Sequence, residues 1–213
     1  SLLFGYAIPF THTGLKVSYP FSDRAAGLVY LVNGWDNATD NNPDKSVGAQ
    51  LGLTPCATFS AYANALYGDE RGGAVGHGRL ILDGVATWRP TARVNVGLNV
   101  DYGREEHAVL TDDVVEDAAA ATWSGAALYL RYGVCERLAL IARGETFKDR
   151  DGVRTGTAQR LTEFTLTPEL KVAPGLVLRA DLRYDHSDIK AFESDSGAKD
   201  HQATLLLNAL VTF

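Results

Sequence analysis

Charged side chains recur at every second position in several short runs of this 213-residue chain. In residues 92–103, Arg93, Asn95, Asn99 and Asp101 alternate with Val94, Val96, Leu98, Val100 and Tyr102. In residues 176–186, Arg179, Asp181, Arg183 and Asp185 alternate with Leu178, Ala180, Leu182 and Tyr184. Residues 137–147 set Arg143 and Glu145 against Leu138, Leu140 and Ala142. Residues 159–172 set Glu163, Glu169 and Lys171 against Phe164, Leu166, Leu170 and Val172. A strand sends successive side chains to opposite faces, so each run has one apolar face and one ionic face. The same parity adds Lys16, Arg79, Asp83 and Arg131 to the ionic face. That face then carries eight cations (Lys16, Arg79, Arg93, Arg131, Arg143, Lys171, Arg179, Arg183) against seven anions (Asp83, Asp101, Glu145, Glu163, Glu169, Asp181, Asp185). The chemistry open to such a set is electrostatic. Rings of charge lining a wet passage order and select polar solutes. The same groups, paired with one another, can instead fill the space between strands. Both readings stand at this point.

Other constellations promise less. Asp36, Asp40 and Asp44, set among Asn37, Asn41 and Asn42, offer closely spaced oxygen ligands of the kind calcium takes. The spacing is not that of an EF-hand, and the same residue types build ordinary turns. No other metal and no cofactor is called for. A barrel phospholipase needs a serine beside a histidine. Here His186 and His201 flank one loop, and Ser124 lies three expected strands away. No enzyme is expected. Cys56 and Cys135 fall in turns four strands apart, too far to bridge. A net charge of −6 argues against a nucleic-acid surface.

The elements that must carry these charges follow from length and punctuation. No window of about 18 apolar residues is present, so no transmembrane helix is expected. Membrane strands need only about 9–11 residues. Turn-forming residues divide the chain into twelve expected strands joined alternately by short turns and long loops. The fold class is all-β: an up-and-down antiparallel transmembrane barrel, one domain over residues 1–213, with short periplasmic turns and long extracellular loops. Residues 1–7 form the first and weakest strand, and residues 104–121 the longest loop. The final run, residues 201–213, alternates Ala203, Leu205, Leu207, Ala209, Val211 and Phe213 on one face and must close against residues 1–7. Lysine or arginine on the lipid face would cost roughly 2–4 kcal/mol at mid-bilayer. None falls at the middle of that face in the four charged runs above. Aromatics on the apolar face gather at two levels. Tyr19, Trp88, Tyr132 and Phe213 sit at turn ends; Tyr102, Phe164 and Tyr184 sit at loop ends. Two such girdles mark the two membrane interfaces.

Three stretches carry a family likeness: Pro9-Phe10-Thr11-His12-Thr13-Gly14, Val32-Asn33-Gly34-Trp35-Asp36-Asn37 and Lys45-Ser46-Val47-Gly48-Ala49-Gln50-Leu51-Gly52. With the terminal Phe213, they make the chain resemble the OmpL-like beta-barrel porins of the Gram-negative outer membrane. The motifs span roughly residues 4–70. The resemblance implies an outer-membrane channel in contact with lipid. It also implies that the last strand is read by the barrel assembly machinery. Members are usually longer, so the chain is expected to be a carboxyl-terminal portion or a short member. It starts Ser1-Leu2-Leu3-Phe4 without a basic region and reads as mature or truncated. The expected function is passive diffusion of small polar solutes or ions. The alternative is a plugged structural or adhesin-type barrel acting through its acidic loops.

Overall fold

The structure, a computed structural model, describes residues 1–39, 42–70, 76–111, 114–195 and 197–212; the side chains of 109–111 and 114–118 lie outside the description. Asp40, Asn41 and Phe213, three residues of the sequence reading, are therefore outside the described residues.

The alternating runs become eleven strands in one antiparallel sheet, each paired with its neighbours in chain order. They are β1 (Gly14–Ser22), β2 (Ala25–Val32), β3 (Ser46–Cys56), β4 (Phe59–Asp69), β5 (Gly78–Thr91) and β6 (Val94–Thr111), followed by β7 (Val114–Gly133), β8 (Leu138–Asp149), β9 (Gln159–Ala173), β10 (Leu176–Ser187) and β11 (His201–Val211). Short turns after the odd-numbered strands gather at one rim. The other connections, longer except between β6 and β7, lie at the opposite end, hereafter the loop rim.

The apolar parity faces outward. Leu82, Leu98, Leu128, Leu182, Leu205 and Leu207 are all exposed, Leu207 at 75%. No described residue covers them, which suits a lipid-facing surface. Outward Tyr19, Trp88 and Tyr132 sit towards the turn rim, and Tyr67, Tyr102, Phe164 and Tyr184 towards the loop rim, all exposed.

Two expectations are corrected. Residues 1–7 are not a strand. Leu3–Ala7 forms a short π-type helical turn, and the segment folds onto the inner face of the sheet. Leu2, Leu3 and Ala7 are buried there, at 4%, 0% and 0% exposure. The reason is periodicity: positions 2, 3 and 7 share one side of a helical turn, whereas a strand would have split Leu2 from Leu3. Among the described residues β1 therefore pairs only with β2, and β11 only with β10. The second correction is the longest loop. Residues 104–121 are mostly ladder: β6 and β7 run 18 and 20 residues, still paired at Val109↔Ala119 and Thr111↔Val114. Branched valines at 109, 114 and 115 favour extended backbone over a loop.

Candidate functional site

The inner face is built in rows, because strands in register bring inward residues opposite one another. One row runs Gln50, Asn64, Asp83 and Asp101 across β3 to β6. Another runs Glu145, Glu163 and Asp185 across β8 to β10. A third runs Arg143, Thr165 and Arg183 across the same strands. Alternation alone places all these groups on one side of the sheet.

On β7 to β10 the expected charges pair closely. Arg143 lies 2.8 Å from Glu163 and 3.3 Å from Glu145. Glu169 holds Arg131 at 2.8 Å and Arg179 at 2.5 Å. Arg183 meets Asp185 at 2.7 Å. Asp181 accepts from Thr167 Oγ1 at 2.5 Å and Asn208 Nδ2 at 3.2 Å. The partners are not equally exposed. The Arg131 and Arg179 side chains are 34% and 38% exposed, but their shared partner Glu169 is 7%. Arg143 is 22% exposed against 0% for both of its glutamates, and Arg183 28% against 3% for Asp185. Short carboxylate side chains stay close to the backbone, while long arginines reach past them. A near-neutral set thus presents a cationic surface. Pairs this open add only about 0–1 kcal/mol each. Their main effect is to fix where the guanidiniums sit.

On β3 to β6 the face is amide-rich. Gln50 Nε2 donates to Asn64 Oδ1 at 2.6 Å. Asn64 and Asn99 donate to the two oxygens of Asp83. Asp101, opposite Asp83, is buried. The remaining expected residues spread out. Lys16 is exposed on β1, Lys171 is exposed near the turn rim of β9, and Arg93 sits in the β5–β6 turn. Arg79 belongs to neither wall. It pairs with Glu105 at 2.9 Å near the loop rim.

There the inner face turns apolar and receives the segment before β1, here called the strap. Leu66, Ile81, Trp123, Phe147 and Leu161 are inward, buried and packed with Leu2, Leu3 and Ala7. The strap is also pinned by polar contacts. The Leu2 N–H donates to Glu145 Oε2, and Trp123 Nε1 donates to Ala7 O at 3.0 Å. Arg154 Nε donates to Tyr6 O at 2.6 Å. The Tyr6 ring stacks on Phe147 with centroids 5.6 Å apart. Arg154 also lies over two indoles, 4.8 Å from Trp35 and 5.3 Å from Trp123, while Arg79 covers Trp35 at 5.1 Å. Two glycines make room. A Cβ on Gly103 would collide with the Trp123 indole, and one on Gly125 would come within 2.8 Å of Leu3.

The Asp36 carboxylate is engaged by the strap. Its Oδ1 accepts the amides of Phe10 at 2.5 Å and Thr11 at 2.8 Å. No group of three or more metal-ligating side chains occurs among the described residues. His186 lies opposite His201 across β10 and β11, while Ser124 is on β7. Cys56 and Cys135 are both free.

Sequence reasoning missed Trp35, Trp123, Phe147 and Arg154. For Trp123 and Phe147 a signal existed: both are large aromatic residues at the inward parity that carries Arg131 on β7 and Arg143 and Glu145 on β8. Trp35 and Arg154 lie in loops, where parity says nothing.

An up-and-down sheet with a lipid-type outer face and an ion-paired inner face defines a porin-type β-barrel protein of the outer membrane. The chain belongs to the family described as Putative beta-barrel porin-2, OmpL-like, which it matches over residues 1–213. Among solved structures, a NanC porin in a rhombohedral crystal form is similar, with a TM-score of 0.54 and 14% identity over 95% of this chain and 93% of that one. At that identity the likeness concerns the fold alone. Curated protein sequences give no match. The protein is thus a porin-family protein of the outer membrane and not an enzyme.

Proposed function

We propose that this single barrel domain lets small polar solutes and ions diffuse passively across the outer membrane, with a bias towards anions. The observation behind this reading is the unequal exposure of the ion pairs on β7 to β10. The guanidiniums of Arg131, Arg143, Arg179 and Arg183 face the space that a solute would cross, and their carboxylates lie behind them. Fixed cations along a passage raise local anion concentration. In this reading the short turns are periplasmic, the loop rim is extracellular, and the last strand is the part engaged by the assembly machinery. The strap favours a second reading, because it fills the inner face near the loop rim and would plug the barrel. Planar-bilayer recording of the refolded protein under a salt gradient separates the two. The channel reading expects a steady conductance whose reversal potential has the anion-selective sign, moved towards zero by Arg131→Ala with Arg179→Ala. Absence of any conductance supports the plugged structural barrel.

A further inference from the structure

Between the strap and β1 to β5 lies a cavity of about 500 Å³, on the side away from the arginine wall. That volume is in the range of small-molecule sites. Ile8 and Pro9 of the strap form part of its lining, and Lys16, Tyr30, Gln50, Asn64, Asp83 and His12 supply its chemistry. We infer that this chamber is a binding subsite for a neutral polyhydroxylated solute of the hexose type.

Three features carry the inference. First, Gln50, Asn64 and Asp83 lie side by side in register on adjacent strands. The bonds among them fix each amide's orientation: Gln50 gives to Asn64, and Asn64 gives to Asp83. Each amide nitrogen has a second N–H, and the Gln50 oxygen keeps acceptor capacity. The result is a pre-oriented array of donors and acceptors. Vicinal hydroxyls, which both give and take hydrogen bonds, match such an array. Second, the Tyr30 ring lies over Gly48, so closely that a Cβ there would overlap it. Tyr30 meets His12 edge-on at 5.4 Å. An aromatic ring on a wall offers the flat apolar surface that the C–H face of a sugar covers. Third, the charges cancel. Lys16 makes no ion pair among the described residues, and Asp83 is already satisfied by two amides. One cation and one anion in the lining leave no net charge to hold an ion.

This deepens the channel reading and rests on it for its physiological meaning, but binding is measurable without transport. The test uses the full chain folded in detergent and in planar bilayers, with D-glucose and sodium gluconate as probes. Folding of each variant is checked by the heat-dependent gel shift of a barrel. The expected result is saturable D-glucose binding by saturation-transfer NMR, with a matching concentration-dependent block of ion current. Both weaken by about ten-fold in Gln50→Leu, the effect of one or two lost hydrogen bonds. Both also weaken in Tyr30→Ala and persist in Arg131→Ala. Ion current with no saturable glucose effect overturns the subsite and leaves the channel intact. Gluconate outcompeting glucose, with loss on Lys16→Ala, overturns it in favour of an anion site. Glucose binding without any current upholds the chamber and overturns the channel reading instead.

Discussion

Arg154→Ala should release the strap without disturbing the sheet. The side chain makes its contacts from the loop between β8 and β9, so no ladder hydrogen bond depends on it. The substitution removes a charge-assisted hydrogen bond to Tyr6 O, 2.6 Å long, and stacking on Trp35 and Trp123 at 4.8 and 5.3 Å. A hydrogen bond to a charged group contributes about 1.5–3 kcal/mol. Each cation–π contact adds about 0.5–1 kcal/mol when partly open to water. Trp123 Nε1 still holds Ala7 O, and Tyr6 still stacks on Phe147, so part of the docking survives. A net loss of about 3 kcal/mol is expected, which is roughly a hundred-fold in the ratio of docked to released strap. Amide hydrogen exchange of the micelle-folded protein reads this directly. Protection over residues 2–8 should fall by about that factor, while strand amides keep theirs. Conductance should rise in parallel. Arg154→Lys should restore only part of the protection, since an ammonium lacks the planar face that lies on both indoles. Unchanged exchange in the strap would refute the clamp. An equal loss of protection across the strands would refute the separation of strap from sheet.

Glu169→Gln leaves Arg131 and Arg179 without their shared counter-charge, so anion selectivity should increase and stability should fall by at most about 2 kcal/mol; reversal potentials and urea unfolding measure the two effects. Asp36→Ala frees the amides of Phe10 and Thr11 and should destabilise the strap by about 1–3 kcal/mol, equally with and without calcium. A calcium-dependent rise in the melting temperature that the variant loses would return this loop to metal binding. Gly103→Ala drives a methyl into the Trp123 indole and should cost about 1–3 kcal/mol, with a shift in tryptophan emission. An unshifted spectrum at unchanged stability would mean that the indole does not rest on Gly103.

The sheet was legible wherever one face had to be oily. In β6 Asn95, Asn99 and Asp101, and in β10 Arg179, Asp181, Arg183 and Asp185, are inward as the alternation requires. The same parity located the Arg143, Glu145 and Glu163 cluster before any distance was known. Parity fails where the inner face is also apolar. Trp123 and Phe147 break the pattern because they receive the strap, and an isolated exception does not say what it receives. Residues 1–7 misled for the same reason. Leu2, Leu3 and Ala7 supply oily side chains without alternation, and their partners, from Leu66 to Leu161, lie far away in sequence. The Arg154 clamp joins the strap, β7 and the loop holding Trp35. No local spacing encodes a contact among three distant segments. The length of β6 and β7 was missed because acidic residues at 112, 113, 116 and 117 resemble a solvated loop.

The burial of the carboxylates behind their arginines has a consequence for throughput. A bare guanidinium would grip a passing anion and hold it. Glu169, Glu163 and Asp185 are permanent counterions, so the wall resembles an ion-exchange resin already in its loaded form. In the proposed channel, a passing anion would share a guanidinium with its resident carboxylate and never have it alone. Conduction needs attraction strong enough for entry and weak enough for release. Pairing sets that compromise in the covalent chain itself, and it favours rapid passage over tight capture.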